Sequence, residues 1–120
     1  MRVFLSLPMN GKTEEEINAE LDKMEEWAIT EFGPDEELHF VHNLYCPLKP
    51  AMQAPVKNEA LLYLGEAIKK LAYCDAIIYH PDWESARGCR AEAGVAFDYG
   101  IADYYIDRAD FCGDDDGMGN

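Results

Sequence analysis

The feature that most restricts the fold of this chain is an alternation. Four short apolar runs, each of strand length, are separated by three stretches whose apolar residues fall at helical spacing. Arg2 to Leu7 is the first run, followed by the turn signal Met9-Asn10-Gly11. Thr13 and Glu16 then form a capping box, and Ile17, Leu21, Met24 and Ala28 make the stripe of a helix that stops before Gly33-Pro34. Leu38 to Val41 is the second run. Asn58 is placed to cap a second helix with the stripe Leu61, Leu64, Ile68 and Leu71. Asp75 to Tyr79 is the third run, and a helix from Arg87 or Gly88 to Tyr99 follows it, with Gly100 as its stop. Ile101 to Ile106 closes the series. A β-α-β-α-β-α-β order predicts a parallel sheet with helices on both faces, because parallel strands need crossover connections. The expected fold is therefore α/β, a small flavodoxin-like sheet of strand order 2-1-3-4. In such sheets ligands sit at the carboxyl ends of the strands, where the order reverses. Here that point lies between the Ser6–Lys12 and His80–Arg87 loops.

Length and charge narrow the rest. The chain of 120 residues suits one domain, expected over residues 1–112, with an acidic, disordered tail at 113–120. A net charge of −14 repels phosphate backbones, so no nucleic-acid partner is expected and any phosphate must be held by local donors. The connection from Asn43 to Pro55 is long and carries Pro47, Pro50 and Pro55, which suits a lid or a mobile loop. Cys46, Cys74, Cys89 and Cys112 form no CxxC pair and no zinc spacing. They are expected to be free thiols of a reducing cytoplasm, and no metal is expected. A Walker sequence and a GxGxxG fingerprint are both absent, and no cofactor is expected. Val3-Phe4-Leu5 is too short for a secretory h-region and no run reaches membrane-spanning length, so a cytoplasmic protein without a membrane partner is expected.

Several polar residues fall at the expected carboxyl rim. Glu92 lies about one turn inside the third helix. There it is either an exposed or capping glutamate, or an anionic carboxylate placed for nucleophilic work. Asp82 and Glu84 bring further acids near it, and paired carboxylates can divide acid and nucleophile roles. Ser6, Met9, Asn10, Gly11, Ser85, Arg87 and Gly88 supply hydroxyls, backbone N–H groups and a guanidinium suited to a phosphate or a sugar. Arg87 equally suits a surface ion pair. Trp83 and Tyr63 suit either the core or stacking on a base, and His80 a structural hydrogen bond.

Longer runs carry a resemblance. Val3-Phe-Leu-Ser-Leu-Pro-Met-Asn-Gly-Lys-Thr-Glu-Glu-Glu-Ile17, Tyr63-Leu-Gly65 and Asp82-Trp-Glu-Ser-Ala-Arg-Gly-Cys-Arg-Ala-Glu92, followed by Tyr99-Gly100, resemble the nucleoside 2-deoxyribosyltransferase-like superfamily. The likeness is to a phage and bacterial branch described as a domain of unknown function, and it covers roughly residues 2–106. It implies a flavodoxin-like fold, a homodimer or larger homo-oligomer, and cleavage of the N-glycosidic bond of a deoxynucleoside or its 5′-monophosphate. Gly88-Cys-Arg-Ala-Glu92 matches the setting of the superfamily's nucleophilic glutamate, which gives Glu92 that role by resemblance. Ser6, Ser85 and Arg87 lie in places comparable to its phosphate binders. Where the superfamily carries an aspartate in the helix before the third strand, this chain offers Glu66. The tyrosine of the first loop is replaced by Ser6-Leu-Pro, and the histidine that follows the glutamate in many relatives of the branch is Ala93.

The expected activity is thus N-glycosidic cleavage by hydrolysis or by transfer of the deoxyribosyl group. Glu92 attacks C1′, and Asp82 or Glu66 assists the leaving base or orients the sugar. A second expectation is a catalytically inactive nucleotide binder, a sensor or sponge in phage–host conflict. A third, an acidic mimic of nucleic acid, leaves the loop motif without a purpose.

Overall fold

The structure, a computed structural model, describes residues 1–44 and 54–112. The order of elements begins with β1 (Arg2–Ser6), α1 (Glu14–Phe32), β2 (His39–Val41) and α2 (Glu59–Leu71). It continues with β3 (Ala76–Tyr79), a turn of 3₁₀ helix (Trp83–Ser85), α3 (Arg87–Asp98), β4 (Ala102–Tyr105) and α4 (Arg108–Cys112). The four strands form one all-parallel sheet in the order 2-1-3-4, the α/β arrangement expected from the alternation.

Period-two alternation in the central strands divides the core between the two faces of the sheet. Val3, Leu5 and Ile78 face α1 and meet its stripe of Ile17, Leu21, Met24 and Ala28. Phe4, Ile77 and Tyr79 face the other way and meet Ala67 and Leu71 of α2 and Ala96 of α3. All four residues of β3 are buried, as a central parallel strand covered on both faces requires. The edge strand β4 is mostly exposed and carries Asp103, a charge that discourages pairing with another sheet edge.

Local signals set the helix ends. Thr13 Oγ1 accepts the Glu16 N–H at 3.1 Å and Glu16 Oε1 accepts the Thr13 N–H at 2.8 Å, which completes the capping box of α1. Gly33 and Gly100 stand just beyond α1 and α3 with φ of 86° and 74°, where a side chain would strain the backbone. Asn58 Oδ1 accepts the Leu61 N–H at 2.9 Å and caps α2.

Two details differ from expectation. Leu61 is 62% exposed, because the first turns of α2 stand over a cavity and the core contact falls to Ala67 and Leu71. The chain also forms α4 after β4; five residues are too few for a periodic apolar signal, although Phe111 packs on the core. Most of the 43–55 connection, all of the 113–120 tail, Cys46 and the Cys112 side chain lie outside what is described. Cys74 and Cys89 are free thiols.

Candidate functional site

The register of β1 and β3 places Ser6 opposite Tyr79, at the last paired position of both strands. Both belong to the face covered by α2 and α3. Glu92, in the second turn of α3, comes down on this pair. Its Oε1 accepts the Ser6 hydroxyl at 2.6 Å, and only 8% of the residue is exposed. A side chain from the first strand and one from the third helix are thus joined across 86 positions of sequence, at the switch point where the expected loops meet.

Burial pushes the Glu92 carboxyl up to about 7, and the Ser6 hydrogen bond offsets part of that rise. This corrects the expectation that the helix end would favour the anion. The dipole effect is confined to the first turn, and Glu92 lies beyond it in a desolvated place. Cys89 sits one turn earlier on the same helix face, buried beside Ser6. Desolvation raises its thiol to about 11, so it is an inert thiol at neutral pH. Burial likewise raises the Tyr79 hydroxyl, which has no hydrogen-bond partner among the described residues, and the Tyr79 ring stacks on Tyr105 with centroids 4.7 Å apart.

Glu92 and Cys89 form part of the floor of an open cavity of about 770 Å³. Leu7, Pro8, Met9 and Asn10 of the first loop form one wall. Leu61, Tyr63 and Leu64 of α2 form an apolar wall, and Ala86, Arg87 and Gly88 bring the start of α3 to the edge. The N-cap of α3 is Ala86, whose methyl side chain makes no capping hydrogen bond to the first N–H groups of the helix. Among the described residues no ion pair engages Arg87. A mostly apolar cleft with a few convergent polar groups and a perturbed carboxyl has the general make-up of a small-molecule site.

Of the residues singled out from the sequence, the structure brings Met9, Asn10, Tyr63, Arg87, Gly88 and Glu92 to this cavity, with Ser6 directly beneath Glu92. The others lie elsewhere. Gly11 makes the left-handed turn of the first loop. Asp82 pairs with Arg108 of α4, and Glu66 pairs with Lys69 at 3.2 Å one turn along α2. Ser85 Oγ donates to the Asp82 carbonyl at 2.7 Å inside its own turn. The Trp83 ring packs on Tyr79 and Tyr105, with centroids 5.1 and 5.7 Å away.

Sequence reasoning passed over several lining residues. Glu14 stands at the first position of α1, and a helix that follows a parallel strand begins at the carboxyl rim. Cys89 and Glu92 are spaced three apart on a helix and so share a face. Asn43 and Asn58 carried no comparable signal. Among the described residues no group of His, Cys, Asp and Glu is arranged to hold a metal ion, and no helix is long and apolar enough to cross a membrane. Comparison with protein-family models, curated proteins and solved structures gives no match.

Proposed function

We propose that the chain cleaves the N-glycosidic bond of a nucleoside or nucleotide, with Glu92 as the nucleophile. The observation that carries this reading is the buried Glu92 carboxyl, hydrogen-bonded to Ser6 and facing a cavity large enough for such a ligand. The ionised carboxylate attacks C1′, the C1′–N bond breaks, and the base leaves with the bond's electron pair and takes up a proton. Water or a second base then attacks the glycosyl ester and frees Glu92. Tyr63, Leu61 and Leu64 suit the flat face of a base. Arg87 and the uncapped start of α3 suit a 5′-phosphate. Glu14 is the second acid that faces the cavity, a better-placed candidate for the leaving base than Asp82 or Glu66, each of which is held in an ion pair.

Those two ion pairs also favour a second reading. A site whose two expected helper acids are engaged elsewhere suits an inactive nucleotide binder, a sensor or sponge. The exposed apolar residues at the cavity wall, Leu61 and Tyr63 at 62% and 43% exposure, suit a homodimer or larger assembly, and a cytoplasmic setting fits the free thiols. Incubation with deoxynucleosides and their 5′-monophosphates, with and without an acceptor base, separates the readings. Free base without acceptor means hydrolysis, exchange that needs acceptor means transfer, and binding without cleavage means the inactive binder.

A further inference from the structure

The loop from His80 to Arg87 carries the start of α3, and with it the position of Glu92. One buried side chain at its root has contacts in every direction. The His80 residue is 1% exposed and its ring faces α1, on the opposite side of the sheet from Tyr79. Nδ1 accepts the Asp82 N–H at 2.9 Å, so the proton of the neutral ring resides on Nε2. Nε2 lies 3.2 Å from Glu20 Oε1 of α1, without the alignment of a hydrogen bond, and the same Glu20 oxygen pairs with Lys12 of the first loop at 2.7 Å. In the main chain, the His80 N–H donates to the Ser6 carbonyl at 2.9 Å and the His80 carbonyl accepts the Trp83 N–H at 3.0 Å. Phe111 of α4 meets the ring edge-on, with centroids 4.7 Å apart. His80 therefore meets β1 through its main chain, and the 80–87 loop, α1 and α4 through its imidazole, with Lys12 of the first loop one ion pair away on Glu20.

We propose that His80 is a positioning residue and a pH latch: the neutral ring holds the 80–87 loop at the rim of the cavity, and protonation releases that loop. The physical reason is the lone pair. In the neutral ring Nδ1 has a lone pair free to accept, and it accepts the Asp82 N–H. A proton added there turns the acceptor into a donor that faces another N–H. Four charged groups face the ring. Glu20 from α1 and Asp82 from the loop favour the cation, while Lys12 from the first loop and Arg108 from α4 oppose it. Burial is the largest influence, and it lowers the pKa from the ordinary 6.5. The sign follows: the stabilisation is fully present above 6.5 and is lost as pH falls through the lower value of the folded protein. The proposal does not depend on the glycosidic reaction, because the latch acts on the loop itself.

The test follows the loop directly. Trp27→Phe leaves Trp83 as the sole tryptophan, inside the latched loop. Glu92→Gln in the same background removes the titration near 7 that burial gives Glu92. Trp83 emission and exchange of the Asp82 amide, relative to its intrinsic rate, are followed from mildly alkaline to mildly acidic pH. With His80 present, one transition is expected below the ordinary histidine value, and amide protection falls about tenfold, the scale of one lost hydrogen bond. His80→Asn places an amide oxygen near the Nδ1 position and does not protonate. It should keep the protection and lose the transition, whereas His80→Leu should lose the protection at every pH. The same transition in the Asn variant, or full protection in the Leu variant, overturns the proposal. Nitrogen NMR of the unmodified protein tests it without any variant: a neutral ring protonated on Nδ1 overturns it as well.

Discussion

At the scale of single residues, Glu92 sets the energetics of the site. Moving its carboxyl from the ordinary 4.5 to about 7 corresponds to about 3 kcal/mol between its protonation states. The folded protein holds this proton more tightly than the unfolded chain, so stability falls as pH rises from 4.5 through about 7. Glu92→Gln, neutral throughout, should therefore be more stable than the parent above pH 7 by up to about 3 kcal/mol, with the difference vanishing toward pH 4.5. Urea denaturation of both proteins at the two pH extremes measures it; an equal difference at both would contradict it. Ser6 works against this rise through its hydrogen bond. Ser6→Ala should move the Glu92 titration still higher, and the ascending limb of any pH–rate profile with it. Carboxyl carbon NMR of Glu92 reads the shift directly, and an unchanged or lowered midpoint would speak against the role given to Ser6.

At the scale of elements, the caps and the sheet were legible and the loops were less so. Thr13-Glu-Glu-Glu16, Asn58 and Gly100 are local signals whose chemistry is complete within a few residues, and each ends a helix as expected. Glu66 and Lys69 are a local pair at helical spacing, whereas the partners of Asp82 and Ser85 depend on a side chain elsewhere in the fold and on the geometry of one turn. Spacing carries little of that information. The pairing of Asp82 with Arg108 needed α4, a helix too short to announce itself. Glu92 was legible as a candidate from its motif, but its protonation was not, because burial is a tertiary property. Two substitutions gauge the local signals. Thr13→Ala should cost about 1 kcal/mol through the lost cap. Gly100→Ala, at a φ of 74°, should cost about 1 kcal/mol or more through backbone strain. Chemical denaturation checks both, and a neutral result at either position would show that its helix end is held by something else.

At the scale of the whole molecule, an all-parallel sheet with order 2-1-3-4 brings the ends of β1 and β3 together, and the candidate site follows from that topology. The alternation of the sequence was enough to reach the order, because few arrangements of four parallel strands satisfy the rules of connection. The sheet is also the main store of stability: Ile77→Ala, at a fully buried position of β3, should cost about 2–5 kcal/mol. A loss below about 1 kcal/mol would mean that the core repacks freely around that strand. The proposed assembly is tested by sedimentation, where a monomer at high protein concentration would reject it. The most direct measurement of the glycosidase proposal is a comparison of unmodified protein and Glu92→Gln on deoxynucleoside 5′-monophosphates, followed by release of free base and by intact-protein mass. The unmodified protein should release base and carry a transient deoxyribosyl phosphate adduct on the peptide that contains Glu92. Glu92→Gln should bind the nucleotide, form no adduct and release base about 10⁴-fold more slowly or not at all. Equal release of base by the two proteins, or an adduct on another residue, would contradict the role proposed for Glu92.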